Sequence, residues 1–277
     1  MSILITGGNG NLASILKKSL KNFTIFAPNR NDLDLTDQKC LDKFFENNKI
    51  DIIIHTAIKG GRRTVSDPTE IVYQNLLMFE NIIRFSDKVN SIINLDSGAI
   101  YNRESDIFNR KETDIRSIPT DAYGFSKYVI YQRSLAVKNV YNLRIFGLFH
   151  QKEEPNRFIK ACFIAKFMNK TVDIYDDKYF DFFYEDDFVS VVNYYIKHSN
   201  SPLPKTINLC YNQKYRLSEI FHLIEQTANT GNTRHIIHNI SHNNYCGDSS
   251  LLYDLDIPMN TLTDALSKYA NNFQLTT

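Results

Sequence analysis

A doubly wound α/β fold, a parallel sheet with helices on both faces, is the architecture that the 277-residue sequence predicts. Three observations predict it. Short β-branched runs alternate with helix-length stretches through the first half, a glycine-rich turn joins the first run to the first helix, and no Pro/Gly/Ser-rich linker interrupts the series.

The predicted strands cover residues 3–6, 24–27, 51–55, 91–95 and 139–144. Helices are expected between them at 12–21, at 37–47 behind the cap Thr36, at 69–85 and at 123–137. A βαβαβ series of this kind closes with right-handed crossovers. After about Phe146 the pieces shorten, with helices expected at 157–169, 188–198 and 217–230 and short strands between them. The expected organisation is a nucleotide-binding half, 1–150, and a smaller mixed α/β lobe, 151–277, docked on the first without a clean break.

Composition narrows the functional classes. The chain is 43% hydrophobic and 23% charged, and 32 Lys+Arg nearly cancel 31 Asp+Glu to leave +1. No whole-molecule field exists to steer nucleic acid or an anionic membrane, so an anionic ligand must meet a local basic patch. The aromatic stretch 179–184 lacks basic interleaving and reads as a packed strand leading to a helix capped by Asp186 or Asp187, not as a base-stacking surface. Cys40, Cys162, Cys210 and Cys246 lie far apart, which points to reduced thiols rather than a disulfide framework or a thiolate metal site. A first strand at residue 3 predicts no cleaved signal peptide, and no apolar run approaches a membrane span. The expectation is a soluble cytoplasmic protein.

Thr6-Gly7-Gly8-Asn9-Gly10-Asn11-Leu12-Ala13 lies between the first strand and the first helix, where a dinucleotide phosphate loop sits. Gly7 permits the turn, and Gly10 lets the backbone approach a pyrophosphate. Ala13 is small enough for close packing, and the helix N-terminus at Asn11 and Leu12 supplies free N–H donors. The second strand runs out through Ala27-Pro28-Asn29-Arg30, with no acid before Asp32. An acid there would bind a ribose 2′-hydroxyl, whereas Arg30 suits a 2′-phosphate, so NADPH is expected over NADH. A solvated surface arginine is the alternative.

Ser97 follows the fourth strand, and Tyr123 and Lys127 stand four apart on one face of the next helix. An ammonium beside a phenol lowers the phenol's pKa, and a serine hydroxyl can donate to the same oxygen site. Such a set moves a proton to or from a carbonyl or alcohol whose carbon faces a nicotinamide.

These motifs together resemble the extended short-chain dehydrogenase/reductases of the NAD-dependent epimerase/dehydratase family, whose fold is Rossmann-like. The likeness continues through Asp32-Leu33-Asp34-Leu35, Ala57-Ile58-Lys59-Gly60-Gly61, Tyr73-Gln74-Asn75, Leu143-Arg144, the Asp181-Phe182 segment and Tyr245-Cys246-Gly247-Asp248. Lys59-Gly60-Gly61 is most similar to the 4-keto sugar reductases of the GDP-fucose synthase kind. The resemblance implies Ser97, Tyr123 and Lys127 as catalytic residues, with Lys127 also on the nicotinamide ribose and with Ala57 and Asn75 along the cofactor. It further implies a nucleoside-diphosphate sugar substrate and a homodimer formed by two helices of each copy.

Departures from the family pattern sharpen the expected reaction. Gly98 and Ala99 follow Ser97 where dehydratases carry Asp-Glu, and Ala99 replaces the thiol of epimerising reductases. A reductase acting at C4 alone is therefore expected, with a nucleotide-sugar epimerase as the alternative and a non-catalytic dinucleotide-binding regulator as a third, less favoured one. On the substrate side Lys59, Arg62, Arg63, Arg157 and Lys160 offer cations. Asn156 matches a nucleotide-contacting segment, and His150 either meets the sugar or sits on the surface. Phe180 occupies a position where relatives commonly have an arginine, with Lys178 as its possible substitute.

Overall fold

A computed structural model describes residues 1–62, 66–227, 233–241 and 243–274 of the chain. In chain order its first elements are β1 (Ser2–Ile5), α1 (Asn11–Ser19), β2 (Thr24–Phe26), α2 (Gln38–Asn47), β3 (Ile52–His55), α3 (Glu70–Ile83) and β4 (Ser91–Ser97). There follow β5 (Ile107–Arg110), α4 (Ala122–Leu135), β6 (Val140–Ile145), β7 (Leu148–Phe149), α5 (Phe158–Phe167) and β8 (Val172–Asp177). The series ends with β9 (Phe183–Tyr184), α6 (Glu185–Lys197), β10 (Thr206–Leu209), α7 (Leu217–Thr227), β11 (His235–Ile240), β12 (Tyr245–Gly247), α8 (Ser250–Tyr253) and α9 (Leu262–Asn271). Of the helix expected at 217–230, residues 228–230 lie outside the described residues.

Two compact units emerge, and neither is a continuous segment. Unit 1 comprises Met1–Arg103, Glu112–Arg144 and Val189–Ile207, and unit 2 comprises Glu104–Lys111, Ile145–Phe188 and Asn208–Thr277. The boundary expected after residue 150 cuts the chain once, whereas this division cuts it several times.

The six-stranded sheet has the order β10-β6-β4-β3-β1-β2. β1 pairs in parallel with β2 and β3, and β3 with β4, in a register that sets Ile3 beside Ile25 and Ile52, and His55 beside Asn94. Ile3, Leu4, Ile5 and Ile52 to Ile54 have no exposed surface, as strands covered on both faces require. Because β2 and β3 flank β1, the strand order reverses at β1. In open α/β sheets ligands bind beyond the carboxyl ends of the strands at that point. The edge strand β10 was not among the individually predicted strands.

Local chemistry sets the helix starts. The cap of α2 is Asp37, which accepts from the Lys39 and Cys40 N–H groups, and not Thr36, whose hydroxyl donates to Asp34 at 2.7 Å. Asp121 caps α4 by accepting from the Gly124 N–H at 2.8 Å, and Arg103 donates to the same carboxylate. That cap fixes the turn on which Tyr123 stands.

Unit 2 holds three two-stranded pairs, β11-β8, β12-β5 and β7-β9, each parallel. Of the strand expected at 179–184, only β9 is a strand, while Tyr179 and Phe180 make single bridges. Because α6 begins at Glu185, Asp186 and Asp187 stand in its first turn and are not its cap. Asp187 is buried and accepts from the Tyr211 hydroxyl and from Asn260. None of the four cysteines is in a disulfide. Among the described residues no helix is long and apolar enough to cross a membrane.

Candidate active site

The turn between β1 and α1 presses on both neighbouring strands. Gly7 has φ +68°, and a Cβ there would meet the Ala57 Cα at 3.0 Å. Gly8 is more constrained, since a Cβ would fall 2.0 Å from the Ala27 carbonyl oxygen. The Gly8 N–H donates to the Pro28 carbonyl at 3.0 Å, and the Lys17 ammonium donates to the Gly8 carbonyl at 2.7 Å. Gly10 precedes α1, donates to the Gly7 carbonyl at 2.8 Å and leaves the helix N-terminus without a side-chain cap. Ala13 is fully buried.

Beside this turn opens a cavity of about 440 Å³. Gly7, Gly10, Asn11, Leu12, Arg30, Ala57 and Lys59, all anticipated from the sequence, line it. Arg30 stands on its rim with a 64% exposed side chain, 3.7 Å from the Asp34 carboxylate. An exposed pair at that distance holds the guanidinium weakly, so it is available to a ligand. Sequence reasoning passed over Gly8 and over Asp34, which also lines the cavity. Asp34 accepts from the Thr36 hydroxyl and N–H, and these bonds together with Arg30 hold its carboxyl below the ordinary range. The doubled glycine and the Asp-Leu-Asp-Leu run were the available signals for both.

Asn75 has no exposed surface and does not line the cavity. Its amide accepts from the Lys59 N–H at 2.9 Å and donates to the Lys59 carbonyl at 3.0 Å and to the Ser126 hydroxyl at 3.2 Å. Asn75 thus fastens the loop after β3 to α4. Beyond it, Gly60 and Gly61 have φ +83° and +82°, and Asp67 accepts from the Gly61 N–H at 2.8 Å. A Cβ at Gly61 would lie 2.7 Å from the Tyr123 ring, so the bare backbone packs directly on the phenol. Arg62 is exposed, and Arg63 lies outside the described residues.

Ser97 ends β4 and is nearly buried, with its hydroxyl accepting from the Ala99 N–H at 3.2 Å. Ala99 is buried and carries no titratable atom. A Cβ at Gly124 would lie 2.9 Å from the Ala99 carbonyl, which brings the first turn of α4 against the segment after Ser97. Lys127 is buried and donates to the Leu95 carbonyl at 2.6 Å. Burial pulls its pKa down to about 8, against the opposing pull of Asp96. The structure therefore gathers Ser97, Tyr123 and Lys127 on adjoining β4 and α4.

His55, on β3, is buried 3.0 Å from the Thr6 hydroxyl. That hydroxyl already accepts from the N–H groups of Thr56 and Ala57, both at 3.1 Å, so its single proton goes to His55 Nδ1. The arrangement requires a neutral ring, in keeping with a pKa pushed down to about 3 by burial and by Lys127.

The remaining candidates belong to unit 2. His150 is buried rather than on the surface, and burial, then Arg157, Lys160 and Lys152, push its pKa down to about 4. Asn156 is exposed, and half-buried Arg157 starts α5 at 3.8 Å from Glu153. Lys160 is buried with its ammonium donating to the carbonyls of Gln151 and Glu153, both at 2.9 Å, a structural use that replaces the expected ligand contact. Phe180 packs on Phe182 and Tyr245.

A parallel sheet with its strand order reversed at β1, a glycine turn at that point and a cavity beside it define a Rossmann-like dinucleotide-binding fold. The chain belongs to the NAD dependent epimerase/dehydratase family, whose family model matches residues 3–210. It is 22% identical over 250 residues to the GDP-L-colitose synthase of Yersinia pseudotuberculosis, covering 81% of each chain. In structure it is similar to a GDP-mannoheptose C4 reductase from Campylobacter jejuni with NADP bound, with TM-score 0.81, 18% identity, and 98% and 97% of the two chains covered. It is also similar to a UDP-glucose 4-epimerase from Thermotoga maritima, with TM-score 0.79, 18% identity and 98% of each chain covered.

Because a Cβ at Gly8 would strike backbone rather than a movable side chain, Gly8→Ala is expected to cost about 1–3 kcal/mol by overpacking. A urea midpoint equal to that of the wild type would refute the close approach.

Proposed function

We propose that the chain is an NADP-dependent reductase of the C4 ketone of a nucleotide-activated 4-keto-6-deoxy sugar. The observation that carries this reading is the gathering of Ser97, Tyr123 and Lys127 on β4 and α4, with the glycine-turn cavity, rimmed by Arg30, in the same unit. The residues fit a dinucleotide, since the bare backbone of Gly7 and Gly8 leaves no side chain in the turn and the N-terminus of α1 is uncapped. Gly7, Gly10, Asn11 and Leu12 hold the pyrophosphate, and Arg30 meets a 2′-phosphate. Ala57 and the Lys59 loop that Asn75 anchors form the wall of the site. When bound, NADPH supplies the hydride.

The protein's own part is proton transfer. Tyr123 gives its phenolic proton to the C4 oxygen while Ser97 donates a hydrogen bond to that oxygen. The Lys127 ammonium stabilises the phenolate left behind and holds the nicotinamide ribose. Ala99 offers neither acid nor base, so the set supports reduction without prior epimerisation. On the substrate side, unit 1 offers the cations Lys59 and Arg62 for a diphosphate, and unit 2 by itself offers Arg157 as a cation and Asn156 and a neutral His150 as hydrogen-bonding groups.

An epimerase is the second reading, favoured by the small Gly98 and Ala99 after Ser97 and by the likeness to a 4-epimerase fold. Tightly bound NAD without net cofactor consumption distinguishes it. Four cysteines outside any disulfide suit the reducing cytoplasm, which is the proposed compartment.

In a coupled assay with GDP-, CDP- and dTDP-linked 4-keto-6-deoxy sugars, Tyr123→Phe is expected to lower kcat by about 10²- to 10⁴-fold; an unchanged rate removes Tyr123 from the mechanism. Arg30→Ala is expected to erode the preference for NADPH over NADH on the order of tenfold, the worth of one charge-assisted contact. A constant ratio of the two kcat/KM values contradicts the 2′-phosphate assignment. A homodimer through α3 and α4, where Tyr73 and Leu135 are exposed, is expected from light scattering, and a monomer overturns it.

A further inference from the structure

Beneath the Ser97, Tyr123 and Lys127 set lies an ion pair with no exposed side-chain surface. Arg144 Nε on β6 donates to Asp96 Oδ2 on β4 at 2.7 Å. The guanidinium is clamped, with Nη1 donating to the Glu112 carbonyl at 2.9 Å and to the Tyr101 hydroxyl. Its carbon lies 4.8 Å and 4.9 Å from the ring centroids of Tyr101 and Tyr131. Two atoms at the centre of this well-held pair nevertheless have no hydrogen-bond partner, Asp96 Oδ1 and Arg144 Nη2.

Stability alone does not account for the pair. Taking two charges out of water cancels most of their attraction, and an apolar pair of similar volume often serves as well. Its location is more informative. Asp96 stands between Leu95, whose carbonyl takes the Lys127 ammonium, and Ser97. Tyr131 lies one turn beyond Lys127 on α4 and stacks on Arg144, so the carboxylate and the ammonium share the face of the sheet that α4 covers.

The titratable and charged groups around Lys127 come from every element packed there. β3 brings His55, which is neutral, and α3 presents Phe79 to that ring. β6 brings Arg144, the segment after β4 brings Tyr101, and α4 itself carries Tyr123 and Tyr131. Asp96 is the carboxylate of this set. It opposes the burial that drives Lys127 towards its neutral form.

We propose that Asp96, held in place by Arg144, is the counter-charge that keeps Lys127 an ammonium, and is thereby a positioning residue for the proton transfer at Tyr123. This rests on the reductase reading for its catalytic meaning, but not for its electrostatics. Without the carboxylate the ammonium loses its compensating charge, so Lys127 releases its proton at lower pH. Because the ammonium stabilises the phenolate that the proposed proton transfer leaves, an ammonium lost at lower pH withdraws that stabilisation at lower pH. The alkaline limb of the rate profile therefore moves down.

The test titrates the Cε resonance of Lys127 in the full chain labelled with carbon-13 lysine, assigned by its absence in Lys127→Met. Asp96→Asn is expected to lower its midpoint by about one pH unit, a tenfold change in the proton affinity. The alkaline limb of kcat/KM with a 4-keto sugar nucleotide should follow it. An unmoved midpoint in folded Asp96→Asn overturns the proposal, because a purely structural pair would alter stability and not the titration. Should that variant fail to fold, Asp96→Ser, which removes the carboxylate and leaves the Arg144 charge in place, is titrated instead with the same two outcomes. A wild type that turns over no keto sugar refutes the reductase reading, while the resonance midpoint still decides the role of Asp96.

Discussion

A buried polar group needs a partner, and the middle of the sheet in unit 1 is built around that need. Three neighbouring strands turn polar on one face, with His55 on β3, Asn94 and Asp96 on β4, and Asn142 and Arg144 on β6, all buried. Asn94 donates to Asn142 at 2.8 Å, Asn142 donates to Ser134 of α4 at 2.8 Å, and Arg144 pairs with Asp96. An apolar interface tolerates small slips, whereas directional bonds between strands and helix do not. The position of α4, and with it Tyr123 and Lys127, follows from these bonds.

A second constraint comes from places where backbone touches backbone or an aromatic ring. Gly8 meets the end of β2, Gly7 meets Ala57, and Gly61 meets the Tyr123 ring. At each point a side chain would push apart surfaces that have to adjoin. The loop after β3 is held from behind by Asn75 and Asp67, so polar side chains that accept from its backbone help shape the wall of the cavity. Positioning by such groups is what allows a few reacting side chains to suffice.

The chemistry proposed for the site depends as much on what stands beside the triad as on the triad itself. Ser97, Tyr123 and Lys127 suit proton movement at an oxygen whose carbon exchanges a hydride, and that step serves reductases and epimerases alike. Extra acid or base next to Ser97 would open elimination or epimerisation, and Gly98 and Ala99 supply none. In the proposed reading, Arg30 at the cavity rim, loosely tied to Asp34, bears on which cofactor is taken. Single positions on a shared fold thus distinguish one family member from another.

Much of this was legible in the sequence because it is local. Alternation of apolar runs and helical stretches predicted five of the six strands of the main sheet, and the order of glycine turn, serine and Tyr-x-x-x-Lys marked the candidate site. Some local details were still misread, such as Thr36 for Asp37 as the cap of α2, since neighbouring residues compete for the same N–H groups and only geometry decides between them. Contacts between residues distant in the chain were not legible at all. Asp96 and Arg144 are 48 residues apart, and nothing in either segment says that their side chains meet out of water. Asn75 was expected along the cofactor, yet folding turns its amide inward to Lys59 and Ser126. The sequence alone determined the periodicities and turn chemistry that make the elements, because these depend on neighbours along the chain. Which buried polar groups find each other, and hence how the candidate site residues are charged and aimed, was decided only when the tertiary fold removed water from around them.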